Sequence, residues 1–222
     1  MISALRQDKK QYDKGVTGSV NWPRYSDMAS LKSPSPVQCI EVISNINKNH
    51  KEITLEDSST NSTVSLLSST RLHTLNLRKL VIWWTPLTND CIQYLCTLLT
   101  INKTIQELNI KHHSISDRGV NNICQALEHN STLTSLDLYH NPLITSISGQ
   151  ALSHLLLNNS SLVKLDLKET SLSTESILLI LQSLMDNKKI TELTLDKRHK
   201  ETCINTYPNY HLIQDRVDWW PR

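Results

Sequence analysis

Phenylalanine is absent from the 222 residues, and only four residues are glycine. Without phenylalanine, aliphatic side chains must fill most of any core. So few glycines argue against the glycine-rich loops that let a backbone wrap phosphate. The five cysteines, Cys39, Cys91, Cys96, Cys124 and Cys203, contain no CxxC pair. Such an odd, scattered set reads as reduced thiols rather than a disulfide framework. Charge of one sign is lacking as well: 23 Lys plus Arg against 21 Asp plus Glu leave a net +2. That balance creates no field to draw the chain onto nucleic acid or a membrane surface.

Other absences narrow the function. No apolar run approaches the roughly 18 residues of a membrane span. Met1 to Lys10 is charged and lacks the apolar stretch of a signal peptide. HExxH, P-loop and GxSxG motifs are missing. The nine histidines are scattered. His112 and His113 follow one repeated segment and His140 the next, but no third ligand of matching spacing accompanies them. The expectation is a cytoplasmic, monomeric protein that is not an enzyme, with no cofactor, no metal, no nucleic acid and no membrane among its partners.

What is present is a repeat. Leu75-Asn76-Leu77 recurs as Leu108-Asn109-Ile110, Leu136-Asp137-Leu138, Leu165-Asp166-Leu167 and Leu193-Thr194-Leu195, with starts 33, 28, 29 and 28 residues apart. Another aliphatic residue stands three places before each: Leu72, Ile105, Leu133, Leu162 and Ile190. Ile53-Thr54-Leu55 reads as an earlier, degenerate copy. Alternation within each copy predicts a short strand, too short to stand alone, whose neighbour is the strand of the next copy. The second half of each copy has helical spacing: Ile92, Leu95, Cys96, Leu99; Val120, Ile123, Cys124, Leu127; Ile177, Ile180, Leu181, Leu184. Between the last two of these, Gly149, Leu152, Ser153 and Leu156 hold the same places, and their small residues predict a helix set closer to the sheet. Asp117 is a candidate cap for the helix entering at Arg118.

This pattern resembles the leucine-rich-repeat family, in particular its ribonuclease-inhibitor-like class, also found at the C-terminal end of intracellular NOD-like receptors. Leu133, Leu136, Leu138 and Asn141 match the LxxLxLxxN motif in full. Thr170, His113 and Arg198 stand in place of the asparagine in other copies, as does Leu80 in the Leu72 copy. The resemblance implies an α/β solenoid, or horseshoe, with parallel strands on the concave face and helices on the convex face. It also implies a non-catalytic protein-interaction module, either a ligand-sensing or regulatory repeat region of an intracellular receptor or a scaffold. The alternative is a structural or decayed fragment without a specific partner.

The chain divides into an irregular segment 1–36, a solenoid of about six copies over 37–199, and a segment 200–222 that is either a cap or a disordered tail. Val37 to Ile46 predicts a first helix. Ser58 to Thr70 predicts a turn or short helix with Val64 and Leu67 inward. The 33-residue spacing places an insertion at Val81 to Leu87, where Trp83 and Trp84 either pack on the solenoid edge or protrude as a contact.

The outward strand positions are expected to carry the partner. They include Thr74, Asn76 and Arg78; Glu107, Asn109 and Lys111; Ser135, Asp137 and Tyr139; Lys164, Asp166 and Lys168. Tyr139 is the leading candidate, a rigid aromatic near the middle of the array with Lys111 and Lys168 flanking it in adjacent copies. Asp137, Asp166, Arg78, Trp83 and Trp84 complete the candidate set. The five N-x-[ST] sequons begin at Asn61, Asn102, Asn130, Asn158 and Asn159. They read mainly as turn residues before each strand.

Overall fold

The computed structural model describes residues 18–22, 27–112 and 115–221. Among them, nine strands form one sheet in chain order. Strand β1 (Ser19–Asn21) runs antiparallel to β2 (Met28–Lys32). All later pairs are parallel: β3 (Glu52–Glu56), β4 (Lys79–Trp83), β5 (Glu107–Lys111), β6 (Ser135–Asp137), β7 (Lys164–Asp166), β8 (Glu192–Asp196) and β9 (Val217–Trp220). The helices are α1 (Pro36–Asn45), α2 (Thr60–Leu67), α3 (Asn89–Ile101), α4 (Asp117–Glu128), α5 (Gly149–Asn158), α6 (Thr174–Asp186) and α7 (Lys200–Thr206). Short parallel strands on the concave face with helices on the convex face make this an open leucine-rich-repeat horseshoe.

Leu108, Leu136, Leu165 and Leu193 pair in one register and are buried. The first member of that ladder is Leu80, which pairs with Leu108 and with Ile53, rather than Leu75. Leu75-Asn76-Leu77 is not a strand. It lies in the connection after a short 3-10 helix (Thr70–His73) and tucks Leu75 and Leu77 into the core. The physical reason is length. Leu80 stands eight residues after Leu72, whereas Leu108 stands three after Ile105. The extra five residues therefore enter before β4, not at Val81 to Leu87. Once they are looped out, Lys79–Trp83 satisfies both neighbours at the ordinary period, and its β-branched, aromatic run suits a buried strand. The outward positions of this copy are Lys79, Val81 and Trp83, replacing Thr74, Asn76 and Arg78.

Caps and edges follow from backbone accounting. Ser35 and Gln38 form a capping box with Pro36 at the start of α1. In α2 the buried apolar residues are Leu66 and Leu67, while Val64 is half-buried against the core. Asp117 is the first residue of α4, not its cap, which is Ser116. Its carboxylate accepts instead from the Thr145 N–H and hydroxyl, both at 2.7 Å, and from Ser148, tying α4 to the next turn. Gly149 allows α5 its close approach to α6: a Cβ there would lie 2.5 Å from Ser176 Oγ.

At the edge where strands begin, Asn102, Asn130, Asn159 and Asn187 form a buried ladder. Each Oδ1 accepts the N–H groups two and three residues on, as in Asn130 with Thr132 (2.8 Å) and Leu133 (2.7 Å). Each Nδ2 donates to a carbonyl of the preceding copy: Leu72, Leu99, Leu127 and Leu156 respectively. At the two ends of this row arginines take over, Arg71 donating to the Ile46 carbonyl (2.8 Å) and Arg216 to those of Asn187 (2.6 Å) and Leu184 (2.7 Å).

Both flanking segments contribute to the fold. Ser19–Asn21 and Met28–Lys32, expected to be irregular, are sheet strands. Residues 1–17 and 23–26 of that segment lie outside the described residues. The tail covers the last edge: Cys203, Tyr207, Tyr210 and Ile213 are buried in the core, and Trp219 Nε1 donates to Tyr210 Oη at 2.7 Å.

Candidate functional site on the concave face

The strands end in a repeated backbone device. In the six copies from β2 to β7, φ becomes positive one residue after the last outward position: Ser33 (45°), Asp57 (50°), Trp84 (52°), His112 (62°), His140 (58°) and Glu169 (56°). None is glycine, so each bears the steric cost of a Cβ in the left-handed region, about 1–2 kcal/mol. The geometry sets two side-chain rows beside each other along the rim where strands end.

The first row alternates rings and ammonium groups. Trp83 on β4 pairs with Lys111 on β5. Lys111 Nζ lies 6.0 Å from the Trp83 ring and 5.9 Å from that of Tyr139. Lys168 Nζ lies 5.0 Å from Tyr139 and 4.7 Å from Trp220 of β9. All four distances fall within reach of cation–π attraction. Carboxylates hold both lysines: Lys111 meets Asp137 at 2.5 Å and Lys168 meets Asp166 at 2.7 Å. These four side chains are about four-fifths covered, with 17–21% exposure. Trp83 and Trp220 are 36% and 43% exposed. Elsewhere on the face the pairs are more open: Lys32–Glu56 (2.7 Å) between β2 and β3, and Lys164–Glu192 (2.5 Å) where β7 and β8 begin.

The second row stacks directly beside the first. Trp84 and His112 are parallel with centroids 4.2 Å apart. His112 stands 5.2 Å from His140 and edge-on to Tyr139 at 5.4 Å. His140 Nδ1 contacts Glu169 Oε2 at 2.6 Å. His113 lies outside the described residues.

Electrostatics follow the packing. Burial, then the Glu169 carboxylate, pushes the Tyr139 phenol above its ordinary pKa. Burial likewise raises the Asp166 carboxyl against the pull of Lys168. The Lys168 ammonium is opposed by burial, but the bond and charge of Asp166 leave it above its usual value. From β6 to β9 the outward positions hold Asp137, Asp166, Glu192, Asp196 and Asp218 against Lys164 and Lys168. Lys111 and Arg198 pair with Asp137 and Asp196, which leaves this half of the face a small acidic excess on a chain whose net charge is +2.

The structure therefore gathers Trp83, Lys111, Asp137, Tyr139, Asp166 and Lys168 into one array. Trp84 joins through His112 and is not part of an insertion. Arg78 does not join: it is exposed just before β4, where its carbonyl accepts from Gln106 and Glu107. Trp220, His140 and Glu169 are members that the repeat pattern missed. Trp220 was legible only by extending the strand alternation into Val217–Trp220. A groove of about 450 Å³ on the same face is walled by Glu107, Asn109, Thr134, Ser135, Asp137, Val163 and Lys164. Its polar lining differs from the apolar walls of small-molecule sites. Among the described residues, no group of three or more His, Cys, Asp or Glu is placed to hold a metal ion. No described helix is long and apolar enough to cross a membrane.

No family model matches the chain. A ribonuclease inhibitor from Sus scrofa is 33% identical over 98 residues, 44% of this chain and 22% of the inhibitor. NACHT, LRR and PYD domains-containing protein 14 from Homo sapiens is 29% identical over 163 residues, 65% of this chain and 15% of that protein. The matched stretches thus span about a fifth or less of these relatives. Among solved structures, leiomodin-1 actin-binding site 2 aligns with a TM-score of 0.53 and 19% identity, covering 77% of this chain and 95% of that one. That likeness is one of fold. The comparisons support a leucine-rich-repeat protein related at low identity to the ribonuclease-inhibitor and NACHT-containing proteins, and the fold is consistent with a non-catalytic, protein-binding repeat scaffold.

Proposed function

We propose that this chain is a non-catalytic protein-interaction module of the ribonuclease-inhibitor-like class that binds its partner across the concave rim. The observation that carries the reading is the row Trp83, Lys111, Tyr139, Lys168, Trp220. Three rings stand at fixed positions on a rigid sheet, with charges already oriented between them. Such an array meets a partner at little ordering cost, because its rotamers are already restrained. Aromatic anchors ringed by polar groups are the usual form of an interface hot spot. Lys111, Asp137, Asp166 and Lys168 select and orient the partner, and Trp84 extends the surface through the His112 stack.

The cytoplasm is the proposed setting, with the chain a monomer until its partner binds. Within the same reading it serves as a ligand-sensing or regulatory region of an intracellular receptor, or as a scaffold. The buried, hydrogen-bonded side chains of Asn102, Asn130 and Asn159 favour that setting, because a glycan could not be attached to them in the fold. The test is affinity capture from cell lysate on the immobilised protein and on a Trp83→Ala/Tyr139→Ala variant. A protein retained by the first and lost from the second supports the rim as the interface. Equal retention contradicts it.

A further inference from the structure

We infer that the segment recognised by this rim is an extended, proline-rich peptide carrying basic residues, an assignment that rests on the rim being the interface. Backbone pairing cannot supply the recognition, since the N–H and C=O groups of the inner strands are spent on their neighbours. A ligand lying across the strands must be read by its side chains. A polyproline II segment suits this: it needs no backbone partner and loses little entropy on binding.

The spacing matches. Trp83 and Tyr139 stand two strands apart, roughly 9.6 Å at about 4.8 Å per strand. A polyproline II helix repeats every three residues, roughly 9.3 Å at about 3.1 Å per residue. One face of such a peptide therefore presents residues three apart to Trp83 and Tyr139. Trp220 lies three strands beyond Tyr139, opposite Asp196, and its ring leans back to within 4.7 Å of the Lys168 ammonium two copies away. Between rings, the lysine stems give an apolar floor on which a pyrrolidine ring can rest.

Charge selects the remaining residues of the peptide. From β5 to β9, Glu107, Asp137, Asp166, Glu192, Asp196 and Asp218 outnumber Lys111, Lys164, Lys168 and the nearby Arg198 by six to four, so the complement is cationic. The rim already displays the required contact in its own side chains. Lys168 sits between two rings and on a carboxylate, with ring distances of 5.0 and 4.7 Å. A peptide arginine placed on an adjacent ring and carboxylate repeats that arrangement with a planar group that stacks better.

Calorimetric titration of a peptide of four Arg-Pro-Pro triplets into the full chain tests the inference. An Arg-Gly-Gly peptide of equal length matches its charge without its stiffness, and a Glu-Pro-Pro peptide matches its stiffness with the opposite charge. The Arg-Pro-Pro peptide is expected to bind roughly tenfold tighter than either, with Trp83→Ala and Tyr139→Ala each weakening it roughly tenfold. Circular dichroism confirms that both exposed-rim variants stay folded. Arg-Gly-Gly binding as tightly, or no binding of Arg-Pro-Pro, overturns the extended-peptide assignment. In either case the rim itself still stands if the captured partner is lost on the double variant. Arg-Pro-Pro binding that ignores both substitutions, together with partner capture that ignores them, overturns the rim reading as well.

Discussion

Two side-chain rows cross the solenoid, one at each end of its strands, and they obey different rules. At the entry edge, Asn102, Asn130, Asn159 and Asn187 repeat one residue type with one set of partners, all buried. At the exit edge, equivalent positions hold Trp83, Lys111, Tyr139, Lys168 and Asp196, followed by Trp220. Both rows recur with the same backbone geometry. The entry row answers a fixed problem, the orphaned amides and carbonyls between helix and strand, and asparagine solves it each time. Except at Asp196, which is buried and accepts the Glu169 N–H at 2.9 Å, the exit row is part-exposed and no backbone demand dictates identity there. Its side chains vary, yet they interlock through cation–π contacts and ion pairs. Repetition marks stability here, and ordered variation marks the proposed interface.

The largest effects should separate core from face. Leu136→Ala removes a fully buried ladder residue and should cost about 2–5 kcal/mol. Ser135→Ala, its outward neighbour, should stay within about 0.5 kcal/mol. Chemical denaturation of the two reads this directly, and equal losses would mean that the faces are exchanged. Next comes the entry row. Asn130→Ala strands the Thr132 and Leu133 amides and the Leu99 carbonyl, and should cost about 1–3 kcal/mol or more. A midpoint unchanged from wild type would break the contrast between the rows. Tyr139→Ala on the exit row should cost less than about 1 kcal/mol, since its ion and ring contacts are part-exposed.

The thiols give the smallest and most local readout. Burial pushes Cys124 up to about 12 and Cys96 to about 11, so neither offers much thiolate near neutrality. Cys96 is only half-buried, whereas Cys124 is covered. In native protein both should alkylate slowly, Cys96 before Cys124, and both quickly after unfolding. Because the folded thiols titrate above the ordinary 9.0, their contribution to stability is full below that pH. It falls as pH climbs from 9.0 towards 12 through the folded value of Cys124. Replacing Cys124 with Ala should flatten that part of a denaturation-against-pH curve.

Much of the fold was written in the spacing of leucines. From Leu108 to Leu193 the period is nearly constant, and each of those strands falls where alternation puts it. The failure at Leu75 has a physical cause. A Leu-Asn-Leu triplet fits the motif locally, but register is a property of neighbouring strands, and only Leu80 meets Ile53 and Leu108 together. That one shift moved Trp83 from a supposed insertion onto the concave face and left Arg78 outside it. The clustering around Tyr139 in the candidate site was legible because Lys111, Asp137, Asp166 and Lys168 lie in regular copies. Trp220 was not, because β9 arises from a tail without the repeat. The second row, Trp84, His112, His140 and Glu169, depends on a positive φ at non-glycine residues, which no composition rule announces.

The most direct test of the two-row account is a paired measurement on Tyr139→Ala: its thermal midpoint, and its affinity for the partner retained in lysate capture, with Glu52→Ala as the outlying control. The account predicts a midpoint within a few degrees of wild type, an affinity reduced roughly tenfold, and little change for Glu52→Ala. An unaltered affinity at Tyr139→Ala, with the fold intact, would contradict it.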